Sequence, residues 1–150
     1  MFLRVDDRLI HGQVVTAWIK QLNAKSILVV DDTAAKNTIV AKALTMATPK
    51  TIKLTIKSVE DAKSCLNDFN EPDLLIVTKA PINAKVLIEE NMNYQWKVNV
   101  GNVGMDAGRT KFAQTVYLDE NNHQAIMDLN SKTNVDIFMQ TVPGQAINKF

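Results

Sequence analysis

Two short apolar runs set the terms for what this chain can fold into. Ile27-Leu28-Val29-Val30 and Leu74-Leu75-Ile76-Val77 are too short for helices, rich in β-branched residues and bounded by polar positions. A strand with one face in water alternates apolar and polar residues. One that is apolar throughout must be covered on both faces, as in a parallel sheet between helices. The intervening segments agree with this. Gln13–Leu22 puts Val14, Val15, Trp18, Ile19 and Leu22 on one helical stripe, with Thr16, Lys20 and Gln21 opposite. Ala34–Ala47 reads as a helix capped by Asp32 or Thr33, with Pro49 beyond its end.

The remaining elements follow in the same rhythm. Thr51–Lys57 alternates as a strand with one wetter face, and Ser58 with Asp61 resembles a capping box for a helix carrying Val59, Ala62, Cys65, Leu66 and Phe69. Pro81 opens a helix to about Glu90. Trp96–Val103 is a strand entering a glycine-rich loop, Gly101–Gly108. Thr115–Leu118, Asn122–Lys132 and Val135–Thr141 read as strand, helix and strand. The spacing predicts one α/β domain over residues 1–150, a three-layer, mostly parallel sheet of about seven strands with helices on both faces. Residues at the carboxyl ends of those strands then gather on one edge.

Composition narrows the class. The 150 residues are 46% apolar and 22% charged, with a formal charge of +1 and no basic run, which argues against a nucleic-acid partner. One cysteine, Cys65, excludes an internal disulfide framework and suits a reducing cytosol, and its place on a helical stripe makes it a core residue. Charge at Arg4 precludes a signal peptide of the usual form, and no apolar run approaches the ~18 residues of a membrane span.

The chemistry concentrates in Arg4-Val5-Asp6-Asp7-Arg8-Leu9-Ile10-His11-Gly12-Gln13-Val14. It reads as the end of a strand, a polar loop and a helix start, where free N–H groups and the helix dipole favour anions. A lone histidine is more often structural than catalytic. Here, however, it stands in a strand-to-helix loop that also carries Arg4 and Arg8, and Gly12 lets the backbone approach a bound group closely. The dipole and arginines disfavour imidazolium, which leaves a ring nitrogen nucleophilic. Arg8 and Arg4 are candidates for bidentate bonds to phosphoryl oxygens; the bland alternative for each is a salt bridge to Asp6 or Asp7, and the two roles are compatible where the ion pair orients the arginine for the phosphate. An acidic pair after the first strand also marks receiver domains, but the third strand ends Thr55-Ile56-Lys57-Ser58, without an acceptor carboxylate.

Rival chemistries find little support. His11 and His123 are far apart and in no zinc spacing, no G-x-S-x-G occurs, and no metal is required by anything in the sequence. His123 reads as exposed, Trp18 as core, and Trp96 as undecided. The Gly101 loop lacks a complete G-x-G-x-x-G or Walker pattern, so its glycines are either turn residues or a phosphate nest.

The first motif, with Trp18, Val30-Asp31-Asp32, Asn99-Val100-Gly101-Asn102 and Pro143, resembles the IIB subunit of mannose-class sugar phosphotransferase systems over essentially the whole chain. The resemblance implies a protein-Nπ-phosphohistidine–sugar phosphotransferase without a cofactor. In such a protein His11 takes a phosphoryl group on Nδ1 from the phosphohistidine of a IIA domain. It then passes the group to a sugar held by membrane IIC and IID subunits. Arg8 assists, and Arg4, Asp6, Asp7, Gly12 and Gln13 form the phosphate loop. Asn99, Gly101 and Asn102 form a second loop. Many members carry Asn-x-Gly-Gly there; the Asn102 variant resembles the N-acetylgalactosamine and galactosamine branch, and Gly104 stands where some relatives have a histidine. The family implies a cytoplasmic protein beside its membrane permease, and a homodimer is compatible with it. Two other readings use the same loop: a module that binds a phosphorylated metabolite reversibly, and a regulatory protein controlled by His11 phosphorylation.

Overall fold

The computed structural model describes all 150 residues. Its main sheet has seven strands in the order β3-β2-β4-β1-β5-β8-β9, all parallel except the last. These are β1 (Phe2–Asp6), β2 (Ser26–Val30), β3 (Lys53–Lys57), β4 (Leu74–Thr78), β5 (Trp96–Asn102), β8 (Val135–Met139) and β9 (Asn148–Lys149). A separate hairpin pairs β6 (Thr110–Ala113) with β7 (Val116–Leu118). The helices are α1 (Gly12–Leu22), α2 (Asp32–Lys36), α3 (Thr38–Ala47), α4 (Val59–Ala62), α5 (Pro81–Glu89) and α6 (Glu120–Asn130).

The side-chain period of 2 divides the sheet between two cores. Leu3, Val5, Leu28, Val30, Ile76, Val98 and Val100 pack on one face with Ala84, Leu87 and Ile88 of α5 and Ile126 and Leu129 of α6. Ile27, Val29, Leu75, Val77 and Phe138 pack on the other with Val15 and Trp18 of α1, Ala34 of α2 and Leu44 of α3. Helices therefore cover both faces, as the apolar runs require. β1 is the pivot. The helix that follows it lies on one face, while those that follow its neighbours β4 and β5 lie on the other. Its carboxyl end is thus a point where the winding reverses, the usual place for a site in an open α/β sheet.

Four expectations need correction. Residues 34–47 do not form one helix: Asn37 adopts an extended backbone, and its side chain accepts from the N–H groups of Ile39 and Val40, ending α2 and capping α3. Asp31, rather than Asp32 or Thr33, caps α2 through Ala34 N–H. The helix expected around Cys65 stops at Ala62, although Ser58 does accept from Asp61 N–H; Leu66–Asp68 continues as a 3₁₀ turn. Ser64, Asn67 and Asp68 are weak helix formers, which is enough to break so short a segment. Finally, β6 and β9 are strands without a sequence signal: β6 is one short arm of a local hairpin with β7, and β9 is a two-residue pairing at the edge of β8.

Candidate functional site

The β1–α1 connection turns on two left-handed backbones, Leu9 at φ 58° and Gly12 at φ 44°. Glycine takes that conformation freely. Leu9 does not, and it is held there by a buried side chain and by its N–H donating to the Asp6 carbonyl at 2.9 Å. Nothing in the sequence marked Leu9 as special. Between these two turns lies His11, the N-cap residue of α1, whose side chain is 22% exposed. His11 makes no side-chain cap bond, and the first turn contains no acidic residue. The N–H groups of Gly12, Gln13 and Val14 therefore have neither an intrahelical nor a side-chain acceptor, so the positive end of α1 is open to an anion.

Asp6 organises the site. One carboxylate oxygen, Oδ1, accepts the Arg8 backbone N–H at 3.0 Å. The other, Oδ2, accepts Arg4 Nη2 at 2.9 Å and lies 3.1 Å from His11 Nε2. A carboxylate paired with arginine is an acceptor only. In the neutral ring the proton on His11 must then sit on Nε2, which leaves the Nδ1 lone pair free. This is the same logic by which a buried aspartate fixes the tautomer of a hydrolase histidine.

Arg4 takes the ion-pair role that the sequence left open for it. Its side chain is 2% exposed, spanning Asp6, Asn99 Oδ1 at 2.5 Å and the Gln140 carbonyl at 3.3 Å, with Trp18 5.6 Å from its guanidinium carbon. Burial pulls its pKa down and the neighbouring Asp6 opposes that shift. Arg4 is thus turned into the fold, and the salt-bridge alternative to Asp6 is realised for it. Arg8 is the reverse case, exposed and in no ion pair, so its guanidinium is free. Gln13 is exposed on the first turn of α1.

The second loop joins the first through Asp7, whose carboxylate accepts from Asn102 Nδ2 and from Gly104 N–H, each at 2.7 Å. Arg109 closes this loop by donating to the Gly104 carbonyl. Asp7 and Asn102 are thus tethers between loops. Asn99 is fully buried, opposite Arg4 in the β1–β5 register, and donates to the Gln140 carbonyl. Trp18 donates to the Thr141 carbonyl, fixing α1 over the end of β8. His123 stacks on Phe112, remote in chain and contacts from this network. No three of the His, Cys, Asp and Glu side chains are placed to hold a metal ion. Burial pushes the Cys65 thiol up, consistent with an inert core residue.

A cavity of about 510 Å³ opens at the opposite edge among Met1, Leu74, Trp96 and Val135. His11 does not line it. The histidine stands instead at the carboxyl edge of the sheet, its side chain 22% exposed. Over residues 1–150 the chain matches a family model described as the PTS system sorbose subfamily IIB component. It belongs to that family. As a IIB component of a sugar phosphotransferase system, it is a phosphotransferase of the mannose class. This IIB component is 36% identical over 148 residues to a probable phosphotransferase enzyme IIB component of Streptococcus pyogenes, covering 94% of this chain and 90% of that one. It is 31% identical to the mannose-specific EIIAB component of Escherichia coli over 86% of this chain but 40% of that longer protein. The N-acetylgalactosamine-specific IIB component 1 of Escherichia coli is 28% identical over 96% of this chain and 91% of its own. Its crystal structure superposes with a TM-score of 0.91 at 24% identity, covering 99% of this chain and 97% of that one, a likeness of fold. No helix of this IIB component is long and apolar enough to cross a membrane.

Proposed function

We propose that His11 is a phosphoryl carrier working through Nδ1. The observation that carries this reading is the 3.1 Å contact between Asp6 Oδ2 and His11 Nε2, which leaves Nδ1 of the neutral ring unprotonated. Nδ1 attacks the phosphorus of a phosphohistidine on a IIA protein. The donor's P–N bond breaks as the new one forms, and the electron pair returns to the donor ring. Arg8 and the N–H groups of Gly12, Gln13 and Val14 stabilise the charge spreading over the phosphoryl oxygens, since this reaction depends chiefly on positioning and electrostatics. In the second step a sugar hydroxyl displaces the ring. The P–N bond breaks, a P–O bond forms, and the hydroxyl proton passes to a base supplied by the sugar's own site. That sugar is held by membrane IIC and IID subunits, with this chain cytoplasmic and docked beside them. The Escherichia coli relative whose name joins IIA and IIB supports a IIA donor. The N-acetylgalactosamine-specific relative, with Asn102 in the second loop, supports an amino-sugar substrate.

Incubation with a phosphorylated IIA protein tests the carrier step by intact mass. The wild type and His123→Ala gain one acid-labile phosphoryl group, and His11→Ala gains none. Full labelling of His11→Ala sinks the assignment. Reversible binding without a mass change supports the metabolite-binding alternative instead.

A further inference from the structure

Arg4, Asn99 and Gly101 touch no reacting atom, yet their arrangement has an unusual geometric demand. The β1–β5 register runs Arg4↔Asn99 and Val5↔Val100 and then slips to Asp6↔Asn102, leaving Gly101 bulged out of the ladder. A bulge at such a place re-aims what lies beside it. The Arg4 guanidinium fills the space over Gly101: a Cβ built there would lie closer than 3.0 Å to Nη1, Cζ and Nη2. The φ of Gly101 is not in the left-handed region, so its backbone would accept alanine; what it cannot spare is room. Nor can Arg4 swing aside easily, because it is 2% exposed and bonded at once to Asp6, Asn99 and the Gln140 carbonyl.

We infer that Gly101 and Asn99 are positioning residues for phosphoryl transfer: they seat Arg4 so that it holds Asp6 Oδ2 against His11 Nε2 and fixes the tautomer that exposes Nδ1. The chain of contacts is continuous, from the bulge to Asn99 and Arg4, from Arg4 to Asp6, and from Asp6 to His11. With Arg4 displaced, Asp6 loses the partner that orients its Oδ2, and the imidazole is free to protonate at Nδ1. The inference rests on the reading of His11 as the acceptor, but it concerns the ring before any phosphate arrives.

The test is the ¹⁵N spectrum of the His11 ring in the unphosphorylated full chain, read with the rate of phosphoryl acceptance from phospho-IIA. Thermal unfolding and the His123 ring serve as controls for folding. The wild type should show a single Nε2–H form at pH values where the ring is neutral. Gly101→Ala should show a tautomer mixture and a rate lower by about tenfold or more, the scale on which outer partners of metal-bound histidines act. Arg4→Met should do the same, and Gly101→Ala added to Arg4→Met should cost nothing further, because the space it fills is then empty. Asn99→Ala, which adds no bulk, should move the ring spectrum in the same direction and decides the matter if Gly101→Ala does not fold. An unchanged His11 spectrum in the folded variants, or independent losses that multiply in the double variant, overturns the inference. A wild type that shows the single tautomer but takes no phosphoryl group overturns the carrier reading, and with it the role in transfer, and leaves standing only the seating of the His11 tautomer through Arg4 and Asp6.

Discussion

Asp6 and Arg4 are a buried ion pair, with side chains 1% and 2% exposed, and their energetics follow from that burial. Removing one partner of such a pair strands the other charge in a medium that solvates it poorly. Asp6→Ala should therefore lower the unfolding free energy by about 3–5 kcal/mol, measured by denaturant titration. Asp6→Asn keeps the shape but turns an obligate acceptor into a group that can donate to Nε2. It should retain more stability, yet slow phosphoryl acceptance by about a hundredfold or more, as a mis-set tautomer does in other histidine sites. A near-normal rate in a folded Asp6→Asn would mean that the tautomer is set elsewhere. The sequence made His11 and Asp6 legible as neighbours in one loop. It left Arg4 open between phosphate ligand and ion pair, because its register opposite Asn99 is a tertiary fact. The Gln140 carbonyl, accepting from both Arg4 and Asn99, is a main-chain group and carries no sequence signal at all.

The helices and strands were readable where burial dictates pattern and unreadable where single polar side chains intervene. β2 and β4 followed from their apolar runs, since no other element covers both faces. The break at Asn37 did not, because one carboxamide competing for two N–H groups outweighs the helical period around it. The cap of α6 offers a quantitative case. Asp119 accepts the Asn122 N–H at 2.8 Å, and this bond holds its carboxyl below the ordinary value of 3.8. A carboxylate with a depressed folded pKa binds fewer protons in the fold than in the unfolded chain. Its contribution is present above the unfolded pKa and is lost as pH falls through the folded one. Asp119→Asn keeps a capping oxygen without the titration. Its unfolding free energy should fall less steeply than the wild type's as pH is lowered from neutral to about 3, and parallel curves would remove Asp119 from the acid response.

At the scale of the whole molecule, the doubly covered sheet brings three loops to one edge. The β1 loop supplies His11 and Arg8, and the β5 loop is tethered to it through Asp7. The segment after β8 anchors Arg4 and Trp18 through main-chain carbonyls. The cavity at the other edge plays no part in this arrangement. A partly exposed histidine at a sheet edge, outside that cavity, fits the proposed exchange between proteins, whereas a small-molecule enzyme encloses its substrate. The claim that unites these features is chemical and local: the phosphoryl group sits on Nδ1 of His11 while Nε2 keeps its proton against Asp6. The most direct measurement is a ³¹P–¹⁵N correlation spectrum of the isotope-labelled chain after phosphorylation by a IIA protein. The account predicts one phosphohistidine, at His11, with phosphorus coupled to Nδ1 and a protonated Nε2. A signal from the Nε2 isomer, or from any other residue, would contradict it.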